Sequence, residues 1–234
     1  MSANGTAARL LAWRPTIAGA SIAASVAFIV LLGLLHVLRP ELDPSWHFIS
    51  DYEAGPWGWV MRLAFYSLGA SCLGVVVAVF PHAPGIVGRL GLLLLLVSAG
   101  GLLLAGLFAP SATSTLHETG AMLDQLPFAG LFLSISLWRN PAWRSVRWTL
   151  AWALLVLWAG AAVFIWAMVV MQPSKDRPPS PDVLIGWPSR VFILAHCAWL
   201  IPVAWWSRRL SAAPANSPAR CAQLPRCDPG IWSK

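Results

Sequence analysis

Six stretches of this chain are long and apolar enough to cross a lipid bilayer, and that pattern excludes most other folds. A helix rises about 1.5 Å per residue, so about 30 Å of hydrocarbon takes roughly 20 apolar residues. Residues 15–38, 58–80, 90–109, 117–137, 149–171 and 190–206 meet that need. The composition agrees: 58% of the 234 residues are hydrophobic and 11% are charged, against about 25% charged in a water-soluble domain. Too few charges remain to cover a surface facing water. A soluble domain, a disordered chain and a disulfide-stapled secreted module are excluded together. The expected fold is all-α, a polytopic membrane protein built as a six-transmembrane-helix bundle. An N-terminal segment (1–14) should precede the membrane domain (15–207), and a polar, disordered tail (208–234) should follow it. The first stretch is too long for the apolar core of a signal peptide and reads as a retained helix. Pro202 is expected to kink the last span.

Charge then sets the orientation. The net charge is +7. Eleven basic residues fall on the side of the two termini, in residues 1–14, at Arg89, Arg139, Arg144 and Arg147, and in the tail; four (Arg39, Lys175, Arg177 and Arg190) fall on the other. The positive-inside bias predicts both termini in the cytoplasm and a cell-membrane location. Glu41, Asp43, Asp51, Glu53, Asp176 and Asp182 lie in the outer loops, which makes the outer face the polar one. The basic residues are spread out, with no aromatics placed for base stacking, so nucleic acid is not an expected partner; the lipid bilayer is. Trp46, Trp57, Trp59 and Trp187 at outer helix ends, and Trp13, Trp138, Trp143, Trp148, Trp205 and Trp206 at inner ends, are expected to form aromatic belts.

Several chemistries have no sequence signature here. The chain has no phosphate-binding GxxxxGK[ST] loop, no GxGxxG after a strand, no HExxH and no GxSxG. No internal repeat marks a transporter of two similar halves. Cys72 and Cys197 sit inside spans as small packing residues, and the Cys221–Cys227 pair lacks further ligands for a metal. Gly69 with Gly74, and Gly100 and Gly101 with Gly106, provide faces for close helix approach. The Pro-rich loop after the fifth span should be extended.

What remains is a set of ionisable groups at the outer helix ends. Inside a span such groups cost about 2.5–3.5 kcal/mol each, so they face the bundle interior and find partners. Ser50, Asp51 and Glu53 precede the second helix, where they could cap it, and Arg62 lies inside that helix. The fourth span carries His117 and Asp124, seven apart and so on one helix face. The sixth carries Arg190 and His196. Asp124 should pair with Arg62 or His196, or be protonated. These eight residues are the candidates for an outward-facing polar pocket that binds or passes a small solute or lipid headgroup. Two alternatives stand beside it. A purely structural polar network would glue the helices together. An intramembrane metal-dependent lipid hydrolase would hold zinc on His117, Asp124 and His196. Ser50 beside Asp51 has the ingredients of a nucleophile, but the pair is also what an N-cap needs. An enzymatic role is the less favoured reading, and no cofactor other than zinc is suggested.

The runs Arg39-Pro40-Glu41-Leu42-Asp43-Pro44, Phe48-Ile49-Ser50-Asp51-Tyr52 and Gly55-Pro56-Trp57-Gly58-Trp59 resemble the first outer loop and second helix of the bacterial and archaeal membrane proteins grouped as domain-of-unknown-function family 998. Gly106-Leu107-Phe108 before His117, and Gly186 followed by Arg190, are similar to further patterns of that family, although Ala109-Pro110 departs from it. The resemblance implies six helices and a cell-membrane location, and no particular activity.

Overall fold

The computed structural model describes residues 3–108, 110, 115–172 and 180–212, with side chains from Trp13 onward. Its regular structure is helical throughout: α1 (Ala3–Leu38), α2 (Gly58–Val79), α3 (Gly85–Leu107), α4 (Leu116–Met122), α5 (Leu126–Arg139), α6 (Arg147–Met171) and α7 (Gly186–Ala212). Short 3-10 turns cover Ile49–Glu53, Phe80–His82 and Pro141–Val146. Six helical segments are long and apolar enough to span a membrane: Trp13–Leu38, Gly58–His82, Gly85–Leu107, Leu116–Arg139, Pro141–Met171 and Gly186–Ala212. The protein is therefore an all-α polytopic bundle. Each span packs on its neighbours in sequence, and α7 returns to α1, so the spans close into a ring with α2 and α7 also touching across it. The start of α1 and the end of α7 share one end, where the Arg208 guanidinium packs against Gly19. This is the terminal end of the bundle. The opposite end carries the first loop, residues 39–57.

The bundle hides its polar groups and shows its apolar ones. Ile165, Trp166 and Val169 of α6 and Val30 and Val37 of α1 are exposed on the outside. Between α1 and α2, Ser21 Oγ donates to the Ser71 carbonyl at 2.8 Å, and the Ser25 and Ser71 hydroxyls meet at 2.7 Å. In lipid, packing and interhelical hydrogen bonds of this kind hold helices together, because hydrocarbon outside offers no hydrophobic drive between them. Trp199, fully buried, likewise donates from Nε1 to Ser134 Oγ at 3.1 Å, tying α7 to α5.

Helix α1 begins at Ala3, ahead of its apolar span, and α7 runs on to Ala212. The rest of the tail, with Cys221 and Cys227, and loop residues 173–179 lie outside the described residues. Trp143 is buried edge-on to His82, with centroids 6.1 Å apart, and so belongs to the core rather than to the belt. Helix α2 starts at Gly58 without a side-chain cap; Asp51 instead caps the 3-10 turn before it, accepting from the Phe48 N–H at 2.9 Å and contacting His47 Nδ1 at 3.1 Å. Most consequentially, the fourth span is two helices. Pro127 has no N–H to give the Leu123 carbonyl and its ring would crowd that carbonyl, so α4 ends at Met122 and α5 starts afresh at Leu126 with the proline in its first turn.

Candidate functional site

Five of the eight candidate residues fall into three clusters toward the first-loop end: Arg190, Glu53 with His117, and Asp124 with His196. The first is built on Arg190, which is 2% exposed. Its position one turn into α7 points the guanidinium at the first loop. Nε donates to His36 Nε2 at 2.9 Å, Nη1 to the carbonyls of His47 at 2.8 Å and Gly186 at 3.0 Å, and Nη2 to the Tyr52 hydroxyl at 3.0 Å. His36 Nδ1 meets the Leu32 carbonyl at 2.7 Å, so the tautomer that satisfies both contacts carries its proton on Nδ1. Every acceptor is neutral, and no carboxylate pairs with this cation among the described residues. The fork of a guanidinium is what lets one side chain hold α1, α7 and the first loop at once.

The second cluster pairs Glu53 with His117. Glu53 is 3% exposed, and neither of its carboxylate oxygens has a hydrogen-bond partner among the described residues. Burial pushes its carboxyl up to about 7, against the opposing pull of the nearby Arg62 charge. His117 Nδ1 lies 3.8 Å from Glu53 Oε1 and closer to the carbonyls of Phe108 (2.9 Å) and Ala105 (3.1 Å) at the end of α3. Arg62 itself is exposed on α2, and Ser50 is half-buried on the 3-10 turn.

The third cluster sits at the break between α4 and α5. Asp124 Oδ2 meets His196 Nε2 at 2.7 Å, and Asp124 Oδ1 accepts from the Leu126 N–H at 3.2 Å. Ser98 of α3 accepts from the Gln125 N–H at 2.8 Å. The backbone freed by the break is thus satisfied from α3 and from Asp124 itself, as irregular backbone inside a membrane requires. His196, with no exposed surface, meets the Phe192 carbonyl at 2.8 Å through Nδ1. With that proton committed, the contact to Asp124 needs a second one, shared between Nε2 and Oδ2. The pair is neutral overall with one shared proton. Adding or removing a proton leaves a net charge in the interior.

Close packing sets the vertical order of these clusters. On α3, Ser98 and Ala105 stand two turns apart on one face, with Gly101 between them. A Cβ on Gly101 would stand 2.5 Å from the Gly120 carbonyl of α4. Glycine lets α4 lie directly on α3, which carries His117 to Ala105 and Asp124 to Ser98. The expectation that His117 and Asp124 share one continuous helix face fails at the break.

Of the expected zinc triad, His196 and Asp124 come together, while His117 is held with Glu53. Among the described residues no three His, Cys, Asp or Glu side chains group so as to hold a metal ion. Sequence reasoning did not select Tyr52, Ser98 or the break. The signal for the break was present: a proline three residues after an aspartate inside an apolar span.

Fold and clusters together define a multi-pass membrane bundle with an interrupted fourth span and a buried Asp–His pair. The chain belongs to a family of proteins of unknown function, DUF998, whose model matches residues 6–206. No curated protein and no solved structure matches it.

Proposed function

We propose that this protein resides in the cytoplasmic membrane with both termini inside, and that it binds or passes a small solute or lipid headgroup from the outer face, with proton exchange at the Asp124–His196 pair. The observation that carries this reading is the interrupted span with an ionisable pair at the interruption. A broken helix brings polar groups to membrane depth, and membrane transporters place solute and ion sites at such breaks. Buried ionisable groups in a span are costly, and proton relays are one use that justifies them. Glu53 and His117 stand nearer the outer mouth, at the other end of α4, and supply a second titratable pair. The bias of basic residues toward the terminal end supports the orientation.

The Arg190 cluster has a different reading, because its contacts run to groups of this chain on three elements. It serves as scaffold for the first loop. The lipid-hydrolase alternative has no assembled ligand set among the described residues behind it.

The test is flux in reconstituted vesicles with a trapped pH-sensitive dye. A panel of amino acids, small carboxylates, ethanolamine and choline is added outside. At least one is expected to drive a proton signal that Asp124→Asn reduces at least about tenfold while the variant melts close to wild type, since asparagine can still donate to His196 Nε2. A panel in which wild type and Asp124→Asn behave alike throughout rejects proton-linked passage.

A further inference from the structure

At the terminal end a cleft of about 640 Å³ opens between the α2–α3 turn and the end of α5. It is independent of the clusters above. Three kinds of group face it. Arg14 of α1 and Arg139 of α5 line it, and neither has a described hydrogen-bond or ion-pair partner. The described side chains at this end include seven arginines and no acid, so no counter-charge is supplied there by the described protein itself.

The start of α3 forms a second wall. Its N-cap, Pro84, makes no side-chain hydrogen bond to the helix, so the first N–H groups of this 23-residue helix lack a capping side chain. Gly85 adopts φ of +75°, and nothing lies within 4 Å of where a Cβ on it would stand. Glycine is there for the turn, and the space before the helix stays open. Such helix starts attract anions through both N–H groups and dipole.

The third group is His82, which is 5% exposed, borders the cleft, and has no hydrogen bond to its ring from any described residue. The other polar side chains nearby are already occupied. Asn140 donates to the His82 carbonyl at 3.0 Å and accepts from the Ala142 N–H, and Ser136 Oγ points to the Pro84 carbonyl.

We infer that this cleft binds a phosphate-bearing anion, with Arg14 and Arg139 neutralising it, the first turn of α3 donating N–H groups, and His82 meeting it from the inner wall. A tetrahedral anion with several oxygens suits donors converging from three directions. Ile86, on the same first turn, is 86% exposed, so an acyl chain could run along the lip. The phosphodiester of an anionic lipid and free inorganic phosphate offer the same chemistry.

The experiment uses the purified full chain in neutral detergent, titrated separately with phosphatidylglycerol and with inorganic phosphate. Binding is followed by native mass spectrometry and by the change in tryptophan emission, to which Trp143 contributes because it packs edge-on to His82. Arg14→Gln and Arg139→Gln are each expected to weaken binding about tenfold, and Arg209→Gln, at the same end but outside the cleft, by less than about twofold. Arg139 is exposed, so its replacement leaves the fold intact. Binding of phosphatidylglycerol alone identifies the lipid as the source. Binding of inorganic phosphate with the same residue dependence identifies the free anion. No binding of either, or equal weakening by Arg209→Gln, overturns the inference.

Discussion

Arg190 and Glu53 are both buried toward the first-loop end, but only the arginine is supplied with hydrogen bonds. Lysine at position 190 would keep the charge and lose the fork, leaving some of four acceptors unpaired. Arg190→Lys is expected to cost about 2–4 kcal/mol and to lower the melting temperature in detergent by about 5–10 °C. Glu53 behaves oppositely, because burial favours its neutral form and raises its carboxyl from 4.5 to about 7. Protonated in both folded and unfolded chains at low pH, it has no effect there. As pH rises above 4.5 the unfolded chain ionises first, and wild-type stability falls until the folded carboxyl also ionises near 7. Glu53→Gln should therefore melt with wild type at pH 4 and above it at pH 8, by roughly 2–6 °C. A variant that is less stable than wild type at pH 8 would mean that the carboxylate has a stabilising partner in the folded protein.

At the scale of elements, the contact between α3 and α4 decides where the fourth span places its ionisable groups. Two adjacent glycines on α3 separate packing from propensity. A Cβ at Gly101 meets the Gly120 carbonyl at 2.5 Å, whereas at Gly100 it meets nothing within 4 Å. Gly101→Ala is expected to destabilise by about 1–3 kcal/mol. Gly100→Ala should be neutral or stabilising by up to about 1 kcal/mol, since alanine is the better helix former. Thermal melts of the two variants side by side check this, and equal effects would deny the close approach. The existence of the spans was legible in runs such as Leu92 to Leu96, because hydrocarbon demands length and apolarity and little more. The division of the fourth span was legible only in part. Pro127 marked a weak point, but a proline can kink a membrane helix or end it. Which one occurs depends on whether other groups receive the freed backbone, here Ser98 and Asp124.

For the whole molecule, one ring of spans separates two chemically different ends. The described terminal end holds arginines without acids, and the first-loop end holds carboxylates, histidines and Arg190. This asymmetry predicts which end faces the cytoplasm. A C-terminal fluorescent protein that folds only in the cytosol should be bright, and a C-terminal phosphatase active only outside it should be silent. A phosphatase inserted in the first loop should be active. The reverse pattern would turn the molecule over and move the site proposed for the outer face to the inside.

The amino-acid sequence by itself determined the solvent of this chain, the number of its crossings and the family it resembles, because each follows from composition and order along one dimension. It also named most of the ionisable residues that end up buried. Only the tertiary structure decided their partners. Asp124 went to His196 across 72 positions, His117 to Glu53 and Arg190 to His36 and Tyr52, because helix rotation and close approach through glycine set which faces meet. Those are properties of helices packed against one another, and no single segment carries them.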